Sequence, residues 1–259
     1  MSENLVIVSQ ENAVKTISLN NTARKNALTK QMVLDIHKAI VESETDGTRV
    51  IVLTGVGKDF CSGADLVAGG AELMSGVTQY LKECVNPLIL AMHNTNIPII
   101  AKIRGVCVGL GFNLALACDM LFASEDARFS QIFTNIALSS DGGGAFFLSR
   151  RIGYYKAFEL MSLASIFTAE DAYNLRLINK VCTDEVLDKI VDEISDRLAK
   201  GPFVALKNTK ANLREGFEGS LESTLELEAE NQGVNFKTED FAEGVQAFLQ
   251  KRKPVYTGK

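Results

Sequence analysis

Two short runs near the start of the chain, 5–9 and 13–19, alternate apolar and polar residues around the turn formers Gln10-Glu11-Asn12, and they predict a pair of strands. Over 29–44 the apolar residues Met32, Leu34, Ile36 and Ile40 recur at helical spacing, with Thr29 ahead of them as a candidate N-cap. Val50, Ile51, Val52 and Leu53 are continuously apolar, the pattern of a strand covered on both faces. Residues 98–103 repeat that pattern, and 120–123 and 128–130 read as shorter strands. Between them lie a loop over 55–65, a mixed helical stretch over 71–94 and a helix entered through glycine over 109–118.

From Gly142 onward the period is helical: 143–151, 154–163, 169–175, 185–200, 202–215, 221–236 and 239–251. Pro202 suits a first helical position, where its missing N–H needs no acceptor. Strands alternating with helices, followed by helices alone, predict an α/β core over 1–200 and a helical region over 201–259.

Composition narrows the function classes. The 259 residues are 46% hydrophobic and 23% charged, enough to bury a core without metal or disulfide staples. The net charge of −5 weighs against the broad basic surface of a nucleic-acid binder. No apolar run approaches the ~18 residues of a membrane span. The first twelve residues lack the basic and apolar regions of a secretory signal. Five scattered cysteines without a CxxC pair, and two histidines, offer no clustered zinc ligands. Such cysteines read as small buried hydrophobes in a reducing compartment, so the cytoplasm is the expected location.

Two loops stand out as places for chemistry. Asp59-Phe60-Cys61-Ser62-Gly63-Ala64-Asp65-Leu66 follows one strand, and Gly105 to Ala115 follows another and opens a helix. Small residues there let backbone N–H groups approach a ligand, and two N–H groups facing one point would form an oxyanion hole. The glycines could equally serve turns and close packing alone. The second loop reads GxxxGxG, which is not the dinucleotide fingerprint. No GxSxG is present, and neither histidine stands beside a nucleophile.

Taken in order, Asn26-Ala27-Leu28, Ile51 to Gly55, Phe60 to Leu66, Pro98 to Ala101, Gly105 to Asp119 and Ala247 to Lys253 resemble the crotonase (enoyl-CoA hydratase/isomerase) family over nearly the whole chain. The resemblance implies an α/β fold, a spiral of ββα units, with C-terminal helices used to form a homotrimer or a dimer of trimers. It implies an enzyme of acyl-CoA and fatty-acid metabolism. The substrate would be an acyl-CoA thioester whose coenzyme A is part of the substrate, with no separate cofactor and no metal. The thioester enolate would be held by the N–H groups of Ala64 and Leu110. Ser62 and Gly63 would meet the adenine. Lys25 could meet a phosphate or stay solvated. Asp65 is placed beside the coenzyme A site, although a capping role suits it better. Phe248 and Lys251 would pack on coenzyme A, with Arg252 and Lys253 beside them, unless the tail is merely solvated.

The family's two hydratase glutamates fall at Asn113 and Phe133 here, so both acids are missing. Asparagine can position a water or carbonyl but cannot take a proton near neutral pH. Asp141, in Ser140-Asp141-Gly142-Gly143-Gly144, resembles the Pro-Asp-Ser-Gly-Gly of family isomerases, with Ser140 replacing the proline. One carboxylate suits a double-bond or related ring isomerisation. The same aspartate could instead cap the next helix, which would lower its pKa. An atypical hydratase using Asp141 and Asn113, and a non-catalytic or RNA-binding relative, are the rival readings. Acyl-pocket walls are expected from 66–90 and from Phe133, Phe146 and Phe147, although three phenylalanines could be plain core.

Overall fold

The computed structural model describes residues 4–259, without the side chains of 71–75. Strand β1 (Val6–Glu11) pairs antiparallel with β2 (Val14–Leu19), and the chain turns at Asn12 with φ 54°. The sheet continues in parallel through β3 (Val50–Gly55), β4 (Ile99–Ile103), β6 (Met120–Ser124) and β9 (Lys180–Cys182). Register puts Ile17 beside Leu53, Leu53 beside Ala101 and Ala101 beside Leu121, a row facing the main core. Val50, Val52, Ile100 and Phe122 face the other way, onto Leu187 and Val191 of helix α7 (Asp184–Ala199). Apolar cover on both faces explains the uninterrupted apolar runs.

A second, smaller layer is formed by β5 (Val106–Val108), β7 (Arg128–Ser130) and β8 (Phe167–Thr168). Single bridges, Cys61 with Cys107 and Leu28 with Ala64, extend it. After β3, β4 and β6 the chain therefore crosses from the large layer to the small one before running into helix, which is the ββα spiral that the family resemblance implies. Strands β5, β8 and β9 were not anticipated. Each is two or three residues long and is held by non-local pairing, which leaves too short a run for periodicity to show.

Helix α1 (Lys30–Glu42) is capped as predicted, Met32 N–H donating to Thr29 Oγ1 at 3.2 Å. The 71–94 stretch resolves into α2 (Gly70–Tyr80), a π-turn over Leu81–Val85 and α3 (Asn86–Asn94). Helix α4 spans Leu110–Leu116. The expected helices at 143–151 and 154–163 are one element, α5 (Gly144–Leu163), broken at Gly153 by φ 78°. After α6 (Ala169–Asn174) and α7 come α8 (Phe203–Glu218), α9 (Leu221–Asn235) and α10 (Glu239–Leu249). Pro202 stands at the cap of α8 instead of its first helical position.

Helix α8 is tied to the core. Lys210 Nζ donates to Ile97 O at 2.9 Å and Asp119 Oδ2 at 2.7 Å, and Arg214 Nη1 donates to His93 O at 3.0 Å. The C-terminal tail folds back, Thr257 and Gly258 N–H donating to the buried Asp240 carboxylate at 2.7 and 2.9 Å. Among the described residues, no helix is long and apolar enough to cross a membrane.

Candidate active site

Both glycine-containing loops lie at the edge of the small layer. Asn26, fully buried with φ 56°, accepts from Asn21 N–H at 2.9 Å and donates to Val56 O at 3.0 Å and Asp59 O at 2.7 Å. Around it Ser62 N–H donates to Lys25 O at 2.9 Å, Leu28 N–H to Gly63 O at 2.8 Å and Asp65 N–H to Leu28 O at 2.9 Å. Parallel pairing uses alternate residues, so Ala64 N–H is passed over. On the second loop Gly109 N–H donates to Ser130 O at 2.9 Å, and Leu110 begins α4 where no intrahelical acceptor exists. Among the described residues neither N–H has a protein acceptor. The loops touch: a Cβ on Gly63, whose φ is 97°, would lie 3.6 Å from Leu110 N.

Asp141 arrives from the opposite side, on the turn before α5. A Cβ on Gly142 would meet Leu110 Cδ1, Asn113 Cβ and Val85 Cγ1, so this turn sits on the second glycine loop. Asp141 Oδ1 is buried and has no hydrogen-bond partner. Burial raises the carboxyl to about 6, and a hydrogen bond from its own backbone N–H opposes the rise only in part. The capping alternative is overturned. Gly143 is the N-cap of α5, no side chain bonds the helix start, and the pKa moves opposite to the direction a cap would impose.

Asn113 is buried beside this turn, and Phe133 is buried as well. The Asn113 amide is engaged throughout: Nδ2 donates to Asp141 O at 2.8 Å and Ser140 Oγ at 3.1 Å, and Oδ1 accepts from Gln131 Nε2 at 2.7 Å. Gln131 was not anticipated, because a lone glutamine one residue beyond a three-residue strand carries no pattern. Among the described residues, no group of three His, Cys, Asp or Glu could hold a metal ion.

The match to protein families agrees with this geometry. The model described as "Enoyl-CoA hydratase/isomerase" matches residues 9–259. The chain belongs to the enoyl-CoA hydratase/isomerase family. A Rhodobacter capsulatus protein named "Probable enoyl-CoA hydratase" is 36% identical, covering all of both chains. The "1,2-epoxyphenylacetyl-CoA isomerase" of Escherichia coli is 32% identical, covering 96% of this chain and 97% of its own. Among solved structures, an enoyl-CoA hydratase from Bacillus anthracis superposes with a TM-score of 0.94 at 29% identity, over 99% of this chain and 100% of its own.

Within this enoyl-CoA hydratase/isomerase fold the remaining expected residues separate. Asp65 is buried and braces its own loop: Oδ1 accepts from Val67 N–H at 3.1 Å and Ala68 N–H at 2.9 Å, and Arg24 Nε lies 2.9 Å from Oδ2. It is a turn cap and ion-pair partner, the capping role expected of it. The Lys25 side chain is exposed beside Ser62. Phe248 is 83% exposed and lines a groove with Pro202, Phe241 and Tyr256, a groove that none of residues 62–65, 110 or 141 enters. In the nearby basic cluster Lys251 is exposed. Arg252 is committed to Glu243 by bonds of 2.6 and 2.8 Å that hold the glutamate near 2.

Phe146 and Phe147 pack on His93, with ring centroids 5.7 and 5.8 Å away, and line a cleft with Leu213 and Phe217 under α8. Phe147 also reaches the Asp141 turn, where a Cβ on Gly143 would lie 2.8 Å from Phe147 Cε2. Part of the wall expected over 66–90 involves the side chains of 71–75, which lie outside the described residues. Val85, and Ile89 close to Gly143, are the members of that stretch seen against the Asp141 turn.

Proposed function

We propose that this protein is an acyl-CoA isomerase in which Asp141 moves one proton and the Ala64 and Leu110 N–H groups hold the enolate. The observation that carries the reading is the buried, unpartnered carboxylate oxygen of Asp141 beside the oxyanion loop. A buried carboxylate oxygen that no protein group pairs is available to a substrate. With its pKa near 6 it is mostly ionised at neutral pH, yet more basic than an ordinary aspartate.

For a 3-enoyl thioester, Asp141 takes a proton from carbon 2, and the electron pair moves onto the thioester oxygen as a dienolate. Each N–H aimed at that oxygen contributes roughly 3 kcal/mol in comparable sites. The protonated Asp141 returns the proton to carbon 4, the double bond settles between carbons 2 and 3, and the carbonyl re-forms. No atom is added, and the reaction uses no group beyond the coenzyme A carried by the substrate. Ser62, Gly63 and Lys25 would meet that coenzyme A.

A hydratase is the second reading, favoured by the name of the Rhodobacter capsulatus relative. The commitment of both Asn113 N–H donors within the protein speaks against it. A panel of acyl-CoA thioesters with product mass and NMR separates the two: an isomerase leaves the mass unchanged and a hydratase adds one water. Assembly as a trimer or dimer of trimers belongs to the same proposal, supported by exposed apolar side chains on the last three helices, such as Leu213, Leu221 and Phe248.

A further inference from the structure

Behind the Asp141 turn three polar side chains, two of them buried, form a closed ring. Gln131 Nε2 donates to Asn113 Oδ1 at 2.7 Å, Asn113 Nδ2 donates to Ser140 Oγ at 3.1 Å, and Ser140 O–H donates to Gln131 Oε1 at 3.2 Å. The second Asn113 N–H leaves the ring for Asp141 O at 2.8 Å. Gln131 and Asn113 are both fully buried.

The direction of the ring is fixed by chemistry. Turning the Asn113 amide over would set Oδ1 against Asp141 O, two acceptors face to face. With Nδ2 held toward Asp141, Oδ1 must find a donor, and Gln131 is the residue that supplies it. Gln131 Oε1 then takes the Ser140 hydroxyl proton. Space for the ring comes from Gly144, where a Cβ would lie 2.5 Å from Asn113 Oδ1 and 2.6 Å from Nδ2.

The backbone of Gln131 connects this ring to the other half of the site. Its neighbour Ser130, the last residue of β7, accepts the Gly109 N–H at 2.9 Å, one residue before the Leu110 donor. Gln131 thus links the strand that holds the oxyanion loop with the turn that carries the carboxylate. We infer that Gln131 is a positioning residue for Asp141, acting through Asn113 and Ser140 to fix the carboxylate relative to the oxyanion donors and leaving Asn113 no free donor to hold a water. The inference rests on Asp141 being the proton carrier. It goes beyond the family resemblance, because a proline at 140 would bring no hydroxyl and the ring could not close.

The test uses the full-length protein and a 3-enoyl-CoA deuterated at carbon 2, where loss of label reads proton removal whether the deuteron passes to carbon 4 or to solvent. Gln131→Met removes both ring bonds made by the glutamine. Gln131→Glu keeps its size but presents an acceptor to Asn113 Oδ1, so one variant remains informative if the other fails to fold. Ser140→Ala opens the ring by losing a single hydroxyl. The expected result is a fall in kcat of roughly 10- to 100-fold with KM within about twofold, as for a small displacement of a reacting group. Gln131→Met combined with Ser140→Ala should be no worse than the poorer single variant, because both open the same ring. Asp141→Asn is measured alongside. If it is inactive while folded Gln131 variants keep wild-type kcat, or lose only melting temperature, the positioning role is overturned and the proton carrier stands. If Asp141→Asn removes the carbon 2 label at the wild-type rate, the carrier reading falls, and the positioning role falls with it.

Discussion

Gly142 presses its bare Cα against Leu110, so that a Cβ at 142 would lie 2.5 Å from Leu110 Cδ1. This contact joins the residue after the carboxylate to a residue whose N–H is proposed to hold the enolate. Gly142 also has φ 54°, a conformation that side chains resist. Gly142→Ala must therefore either push Leu110 away or move the turn. We expect kcat to fall at least about 10-fold, with a stability loss of about 1–3 kcal/mol from strain and overpacking. Steady-state kinetics beside a thermal melt checks both, and an alanine variant with native turnover would show that the two halves of the site are not coupled here.

Leu110 offers a second cut, at the proposed oxyanion hole. It is the first residue of α4, where proline fits and a missing N–H disturbs no helical bond. Leu110→Pro should fold, as circular dichroism can verify, and should lose roughly 10²–10³ in kcat, the usual worth of one such donor. Undiminished turnover in a folded Leu110→Pro protein would remove this N–H from the mechanism.

The long apolar strands and the capped helix α1 were legible because each is a local pattern: four apolar residues in a row, or Thr29 followed by helical spacing. The two loops stood out because they are rich in small residues, and Gly63 and Gly109 are where their backbones meet. Of the small layer only β7 was legible, because β5 and β8 are two or three residues long and paired with segments more than twenty residues away. Gln131 was hidden for the same reason: its partners Asn113 and Ser140 meet it only through the spiral. Asp141 was found, but its environment was not. Whether an aspartate before three glycines caps a helix or stands unpaired depends on where the helix begins, and here it begins at Gly144.

The last three helices leave large apolar side chains in water, Leu221 at 76% and Phe248 at 83% exposed. A stable single chain would seldom leave so many unpaired. Light scattering at micromolar concentration should give three or six chain masses, and charged substitutions at Leu221 and Leu225 together should lower that mass. A protein that stays at one chain mass would exclude the assembly.

Asp141 yields opposite predictions for stability and activity. Its carboxyl titrates near 6 in the folded protein against an ordinary 3.8, because burial disfavours the charged form. Below pH 4 the group is protonated in both the folded and unfolded chains and has little effect on stability. Between about 4 and 6 the folded chain binds more protons than the unfolded one, so stability falls as pH rises. Above 6 both forms are ionised and the full penalty applies, on the order of 3 kcal/mol for a shift of about two units. Asp141→Asn removes that charge. At pH 7.5 the variant should therefore be more stable than the wild type, by up to about 3 kcal/mol, and the difference should close near pH 4. Its turnover should fall by roughly 10²–10⁴-fold, while wild-type kcat/KM rises through pH 6 as the carboxylate forms. A helix-capping aspartate would give the reverse, a stabilising charge and an active asparagine variant. Urea melts at the two pH values, set beside the pH–rate profile, distinguish the two cases: an asparagine variant that is less stable at pH 7.5 and still turns over would end the proton-carrier mechanism.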